Sequence, residues 1–246
     1  MPAKRFSRTK LLIGEKALMS LAESSVAVFG LGGVGSYAVE ALARAGVGRL
    51  RLVDFDEIKY SNFNRQLYAL EATVGRKKVE IAAERIAQIN PACVVDTRDI
   101  FADASSMPDL LSPPLDAVID AIDSLSSKVA LLSAAYRLGR PTVTCMGAST
   151  RLDPFCVRVG DIDESSICPL ARMVRKKLHA EGIYKGIRCV YSVEPADTAR
   201  ASDSAEPENF VRGRARPSLG STSYMPGLFG LLAAREVIAM IIGKDR

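Results

Sequence analysis

Val26-Ala-Val-Phe29-Gly30-Leu-Gly32-Gly33-Val-Gly35-Ser36-Tyr-Ala-Val-Glu40 is the stretch that sets the architecture of this chain. Val26 to Phe29 is a short apolar run, as expected of a parallel strand buried on both faces. Gly30, Gly32, Gly33 and Gly35 then predict a turn, and Val34 to Ala45 a helix with an apolar stripe. Strand, glycine turn and helix N-terminus together make a cradle for nucleotide phosphates. Glycines admit the phosphates close to the backbone, and the helix end offers unpaired N–H groups and partial positive charge. The next strand, Leu50 to Val53, ends at Asp54, about twenty residues beyond the glycines, where a dinucleotide-binding fold carries a ribose-binding acid.

Outward from this core, strands and helices alternate. Arg5 opens a helix reaching Leu21. Ser61-Asn62 is a candidate helix N-cap. Val74 to Ile89 has helical periodicity through Val79, Ala82, Ala83, Ile86 and Ile89, and Asn90-Pro91 ends it. Cys93 to Arg98 reads as a strand, Asp103 to Leu111 as a short helix, and Asp116 to Ala121 as a buried strand. Ser124 to Leu138 is a helix and Pro141 to Cys145 a strand. The pattern predicts an α/β, Rossmann-like, doubly wound and mainly parallel sheet with helices on both faces and right-handed crossovers. Ligand then belongs at the carboxyl ends of the strands, where Gly32, Asp54 and Asp123 fall.

The chain of 246 residues has ordinary hydrophobic and charged content, so one large domain is the expectation. Its basic start has no apolar run behind it and does not read as a signal peptide. Five cysteines lie far apart with no Cys-x-x-Cys, which argues against a disulfide framework and for a cytoplasmic protein. With His179 the only histidine, no structural zinc site is expected.

The motifs after Asp54 narrow the function. They run Asp54-Phe-Asp56, Ser61-Asn62-Phe-Asn64-Arg65-Gln66, Gly75-Arg-Lys77-Lys78-Val, Ile89-Asn-Pro91 and Asp120-Ala-Ile-Asp123-Ser124. In this order they resemble the ATP-dependent adenylating superfamily of the ubiquitin-activating enzyme and its bacterial thiamin- and molybdopterin-pathway relatives. The resemblance runs from Arg5 to Gly147. It implies that Gly30, Gly32, Gly33, Gly35, Ser36, Asp54, Asp56 and Gln66 bind ATP. It implies that Asn62, Arg65 and Lys78 act on the phosphates and that Asp123 holds Mg2+. Asn62 and Arg65 share one face of a helical turn, and spacing to Gly75 and Val79 favours Lys78 over Lys77. Arg8, in an Arg-x-x-Arg segment, would reach the ATP of a neighbouring subunit, which requires at least a homodimer. Relatives usually have Asp-Asn where this chain has Asp123-Ser124.

The second half is more varied. Pro154 to Val159 and Ile187 to Val193 read as strands. Between them Cys168 to Gly182 carries apolar Leu170, Met173, Val174 and Leu178 on one helical face, with Arg172, Arg175, Lys176, Lys177 and His179 over the rest. Such an excess of cations suits a polyanion, RNA in particular. Residues 194–218 lose periodicity and read as a mobile crossover loop with a basic end. Leu219 to Ile242 is apolar and long enough for a membrane span, but Arg235 and Glu236 lie inside it, which favours a buried or dimer-contact helix.

Cys168-Pro-Leu-Ala-Arg172, Val190-Tyr-Ser and Gly220-Ser-Thr-Ser-Tyr224 extend the resemblance to one branch of the superfamily, which dehydrates threonylcarbamoyladenosine in tRNA. Residues 1–150 would form the ATP-binding half of a single domain and 151–246 the half for tRNA and dimer contact. The implied reaction is adenylation of the threonyl carboxylate, followed by ring closure with loss of AMP. The alternative is an adenylyltransferase for the C-terminal glycine of a ubiquitin-like or sulfur-carrier protein, with Cys168 or Cys189 as acceptor. A sulfur-carrier protein could also assist the dehydration as a partner.

Overall fold

A computed structural model describes residues 4–196, 201–202 and 218–243. Seven strands form the central sheet: β1 (Ser25–Phe29), β2 (Arg49–Val53), β3 (Val94–Arg98), β4 (Ala117–Asp120), β5 (Thr142–Cys145), β6 (Val157–Asp161) and β7 (Arg188–Ser192). Their order is β3-β2-β1-β4-β5-β7-β6. All neighbours are parallel except β6 and β7, so the sheet is doubly wound with one antiparallel strand at its edge.

The helices are α1 (Ser7–Ile13), α2 (Glu15–Glu23), α3 (Gly35–Ala45), α4 (Lys78–Ile89), α5 (Met107–Leu110), α6 (Leu125–Arg137), α7 (Pro169–Ala180) and α8 (Met225–Ile242). Alternation along β1 divides the core. Val26 and Val28 face a cluster with Val39, Leu42, Ile86, Phe229 and Val237 from α3, α4 and α8. Ala27 and Phe29 point the other way, onto Met107, Leu110, Leu131 and Ala135 of α5 and α6. A third cluster joins α6, α7 and β7 through Leu132, Val174, Leu178 and Cys189.

Several expectations are corrected. The N-terminal helix breaks at Gly14, whose φ of 86° is left-handed, so Arg8 lies on a separate α1. The helix expected from Val74 begins at Lys78, because Gly75 has a φ of 80°. Pro154–Cys156 is a 3-10 turn capped by the Asp153 carboxylate, and the strand starts only at Val157. Met173 is exposed, and Ala171 takes its place on the buried face of α7 with Val174 and Leu178. Within the stretch expected to be a loop, Ala201–Ser202 pairs with Ser218–Leu219 as a small antiparallel ladder, β8 and β9. Residues 197–200 and 203–217 lie outside the described residues.

The apolar C-terminal segment is a core helix. α8 packs on α2, α3 and the sheet, and Glu236, 3% exposed, is paired with Arg188 at 2.6 Å and with Arg235. α8 meets the start of α3 backbone to backbone: a Cβ at Gly230 would collide with the Val34 carbonyl oxygen. Gly230→Ala should therefore cost about 1–3 kcal/mol by forcing the helices apart. Thermal denaturation reads this as a lower Tm, and an unchanged Tm would mean that the close approach is not required.

Candidate functional site

The glycine turn is held by its own crowding. Gly30, with a φ of 85°, has no room for a side chain, since a Cβ there would lie 2.7 Å from the Ala121 carbonyl oxygen. A Cβ at Gly35 would fall onto the Gly30 carbonyl. One at Gly33 would lie 2.9 Å from Cβ of Pro226 and 3.2 Å from Cγ of Arg65, and one at Gly32 would lie 3.7 Å from Nε2 of Gln66. The turn is thus wedged between the exit of β4, the start of α8 and the segment 62–66. Ser36 has its hydroxyl turned to the Leu67 N–H at 3.3 Å, and its carbonyl accepts from the Tyr68 hydroxyl. It braces the 62–68 segment against α3.

Asp54 closes β2 and is nearly buried. Its Oδ2 accepts the Leu31 N–H at 2.6 Å and its Oδ1 the Asp56 N–H at 2.8 Å. Burial pushes this carboxyl above the usual range, against the pull of Lys78. Lys78 opens α4, is 4% exposed and meets the Asp56 carboxylate at 2.8 Å. Burial alone would lower its pKa, but the charges of Asp54, Asp56 and Asp123 outweigh it and hold the ammonium above the ordinary lysine value. Lys77 instead reaches Glu57 and Asp99, each at 3.4 Å, at the protein surface.

Asn62 is buried at the end of a 3-10 turn, Tyr60–Asn62. It caps backwards, its Oδ1 accepting the Lys59 N–H at 3.1 Å, so Lys59 and not Ser61-Asn62 occupies the cap position. The next turn brings Arg65 N–H and Gln66 N–H to the Asn62 carbonyl. Half-buried Arg65 donates to the Ser61 carbonyl and to Oδ1 of Asn64, and Asn64 in turn donates to the Ser221 carbonyl at 3.0 Å.

Beneath the exit of β4 lies a network that the motifs do not reveal. Asp120 and Lys128, both fully buried, meet at 2.7 Å. Lys128 also donates to the Cys145 carbonyl at 2.9 Å, and the Thr144 hydroxyl donates to Asp120 at 2.6 Å. The other Asp120 oxygen accepts the Ile122 N–H at 3.0 Å, which sets the turn leading to exposed Asp123. The only sequence signal for Lys128 is a lysine within the apolar pattern of α6.

Two groups of residues stand apart from this cluster. Arg5 donates to the Ile89 carbonyl at the far end of α4, and Phe6 packs near Gly46 beyond α3. α1, with Arg8, therefore leaves the protein at the end of these helices opposite the glycine turn. On α7, Arg172, Lys176 and Lys177 are exposed. Arg175 is half-buried, and one nitrogen of its guanidinium is drawn to the carbonyl and hydroxyl of Ser165. Cys168 and Cys189 are buried, and burial holds the Cys189 thiol well above its ordinary value, so neither is an accessible nucleophile.

The ThiF family matches residues 6–246. A tRNA threonylcarbamoyladenosine dehydratase of Bacillus subtilis is 39% identical across 98% of this chain and 95% of that protein. The Escherichia coli tRNA N6-threonylcarbamoyladenosine dehydratase in complex with ATP superposes with a TM-score of 0.87 at 35% identity, covering 98% of this chain and 95% of that one. An adenylyltransferase and sulfurtransferase, MOCS3, of Anopheles gambiae is 35% identical over 61% of this chain and 34% of its own length.

Lys128→Met should cost about 3–5 kcal/mol, because it leaves the Asp120 carboxylate buried without its cation. Adding Asp120→Asn, which keeps an acceptor for Ile122, should recover much of that loss in denaturant unfolding. Equal losses in the single and double variants would show that no uncompensated charge was at stake.

Proposed function

The chain belongs to the ThiF family, and on that premise we propose that it is an ATP-dependent enzyme that dehydrates threonylcarbamoyladenosine in tRNA. The observation that carries the reading is the buried cation Lys78, set among Asp54, Asp56 and Asp123 at the carboxyl ends of the strands, beside a glycine turn with no room for side chains. Full-length similarity to dehydratases supports the tRNA substrate.

The threonyl carboxylate is a poor electrophile. Adenylation converts it to an acyl phosphate with AMP as leaving group, and a nucleophile within the same modification then closes the ring. The protein's part is to position the reactants and to offset phosphate charge. The backbone of Gly30 to Gly35 and the N-terminus of α3 receive phosphate, Asp54 the ribose hydroxyls, and Asn62, Arg65 and Lys78 the reacting phosphates. Gln66 and Asp56 support these groups. Exposed Asp123, close enough to raise the Lys78 pKa, fits a magnesium ion, which would supply positive charge to the leaving pyrophosphate. Ring closure within the substrate needs no protein nucleophile, consistent with the burial of the candidate acceptors Cys168 and Cys189. Arg172, Lys176 and Lys177 give α7 a cationic face for tRNA.

The functional unit in this reading is a homodimer. α1 buries none of its residues, and Leu11 and Leu12 are 87% and 83% exposed, an apolar surface suited to a second copy that would receive Arg8 at its ATP. The carrier-protein activator is the weaker reading, because a MOCS3 protein matched over 97% of the chain is 28% identical and is covered to 45% of its own length, against 39% and 95% for the Bacillus subtilis dehydratase.

Purified protein with ATP and magnesium should remove one water from the modified nucleoside of tRNA, read by mass spectrometry. Arg65→Ala and Lys78→Met should each slow this about 100-fold or more. An unchanged nucleoside, with pyrophosphate exchange driven by a carrier protein's C-terminal glycine, would overturn the reading. If Arg8 acts across the dimer, mixing inactive Arg8→Ala and Lys78→Met proteins restores turnover, since one site of each mixed dimer is intact. Mixtures no more active than their components would place Arg8 elsewhere.

A further inference from the structure

Arg151 is 2% exposed, yet its Nε and Nη1 have no hydrogen-bond partner. Burying guanidinium donors unpaired costs several kcal/mol, and a native structure keeps such a group where something completes it. The surrounding segment is gripped from several sides. Thr150, with a φ of 60°, donates its N–H to the Gly220 carbonyl at 2.8 Å. The Leu152 carbonyl accepts the Tyr224 hydroxyl at 2.7 Å. Glu194, the carboxylate that holds this segment, accepts the backbone N–H groups of Leu152 and Asp153 at 3.0 and 2.9 Å, leaving the guanidinium aside.

The position of Arg151 suggests what completes it. β5 ends at Cys145, so Arg151 follows the strand at the same sheet edge as the glycine turn, Asp54 and Asp120. The nucleotide residues follow β1, β2 and β4, whereas β5 lies between β4 and the β7–β6 pair of the C-terminal half. Arg151 therefore belongs to the side on which an acceptor, not the nucleotide, would enter. We propose that Arg151 binds the carboxylate of the acceptor, the group that becomes adenylated; this rests on the function proposed above.

A guanidinium matches the planar carboxylate and offers paired N–H donors. In the reaction one carboxylate oxygen forms a bond to the α-phosphorus, the bond from that phosphorus to the bridging oxygen breaks, and pyrophosphate leaves with the electron pair. Two anions must meet, and a fixed cation on the acceptor side offsets their repulsion while Arg65 and Lys78 serve the phosphates.

The test compares Arg151→Gln and Arg151→Lys with the unaltered protein. Loss of a charge-assisted contact of this kind predicts a fall of about 100-fold in kcat/KM for tRNA carrying threonylcarbamoyladenosine in Arg151→Gln, with a smaller fall in Arg151→Lys. Affinity for ATP and for unmodified tRNA should stay unchanged. The unaltered protein should also bind modified tRNA more tightly than tRNA whose threonyl carboxylate is a carboxamide, a preference that needs no folded variant to measure and that Arg151→Gln should lose. Unaltered turnover in Arg151→Gln, ATP affinity falling in step with turnover, or equal binding of acid and carboxamide by the unaltered protein would each overturn the seat. Failure of the unaltered protein to dehydrate the nucleoside at all would instead remove the functional reading beneath it.

Discussion

Lys128 reaches from α6 to Asp120 through an interior with no access to water, and the candidate site hangs from that contact. A buried carboxylate and ammonium tolerate one another only at close range with their remaining positions filled. Thr144, the Cys145 carbonyl and the Ile122 N–H fill them. The pair thereby ties β4 to β5 and to α6, and fixes the turn from Ala121 to Asp123. Gly30 lies against that same turn, so the glycine cradle inherits its position from a salt bridge whose cation, Lys128, stands outside every recognisable motif.

A second electrostatic arrangement sits above the first. Asp54, Asp56 and Asp123 gather round Lys78, and without that cation three carboxylates so close would repel. Asp54 spends its oxygens on the N–H groups of Leu31 and Asp56, which makes it a tie between β2 and the glycine turn as well as a candidate ribose ligand. Asp54, the candidate ribose ligand, is thus also an acid that organises the backbone.

The second half of the chain packs against the glycine turn and the segment that follows Asn62. Pro226 of α8 closes on Gly33, Gly230 lies on the backbone of α3, and Ser221 receives Asn64 from the segment that carries Arg65. Glycine and proline at the start of an apolar helix, which in isolation suit a membrane span poorly and a core helix well, are here what lets α8 approach the cradle closely. Glu236, paired with Arg188 and Arg235, accounts for the charges inside that apolar run.

Sequence alone was enough for the alternation of strands and helices, the glycine turn and Asp54 at the end of β2, because these depend on local periodicity and short spacings. It misjudged the break at Gly14, the start of α4 and the cap at Asn62, where a single positive φ or a backward hydrogen bond outweighs propensity. It assigned Arg172, Arg175, Lys176 and Lys177 alike to an open cationic face, yet one of them, Arg175, is drawn to Ser165 on another element. Tertiary structure alone decided the pairing of Asp120 with Lys128, the unsatisfied guanidinium of Arg151 and the burial of Cys145, Cys168 and Cys189. Each of these is a relation between segments distant along the chain, and the cost of burying a polar group depends on what the fold brings beside it, which no local pattern records.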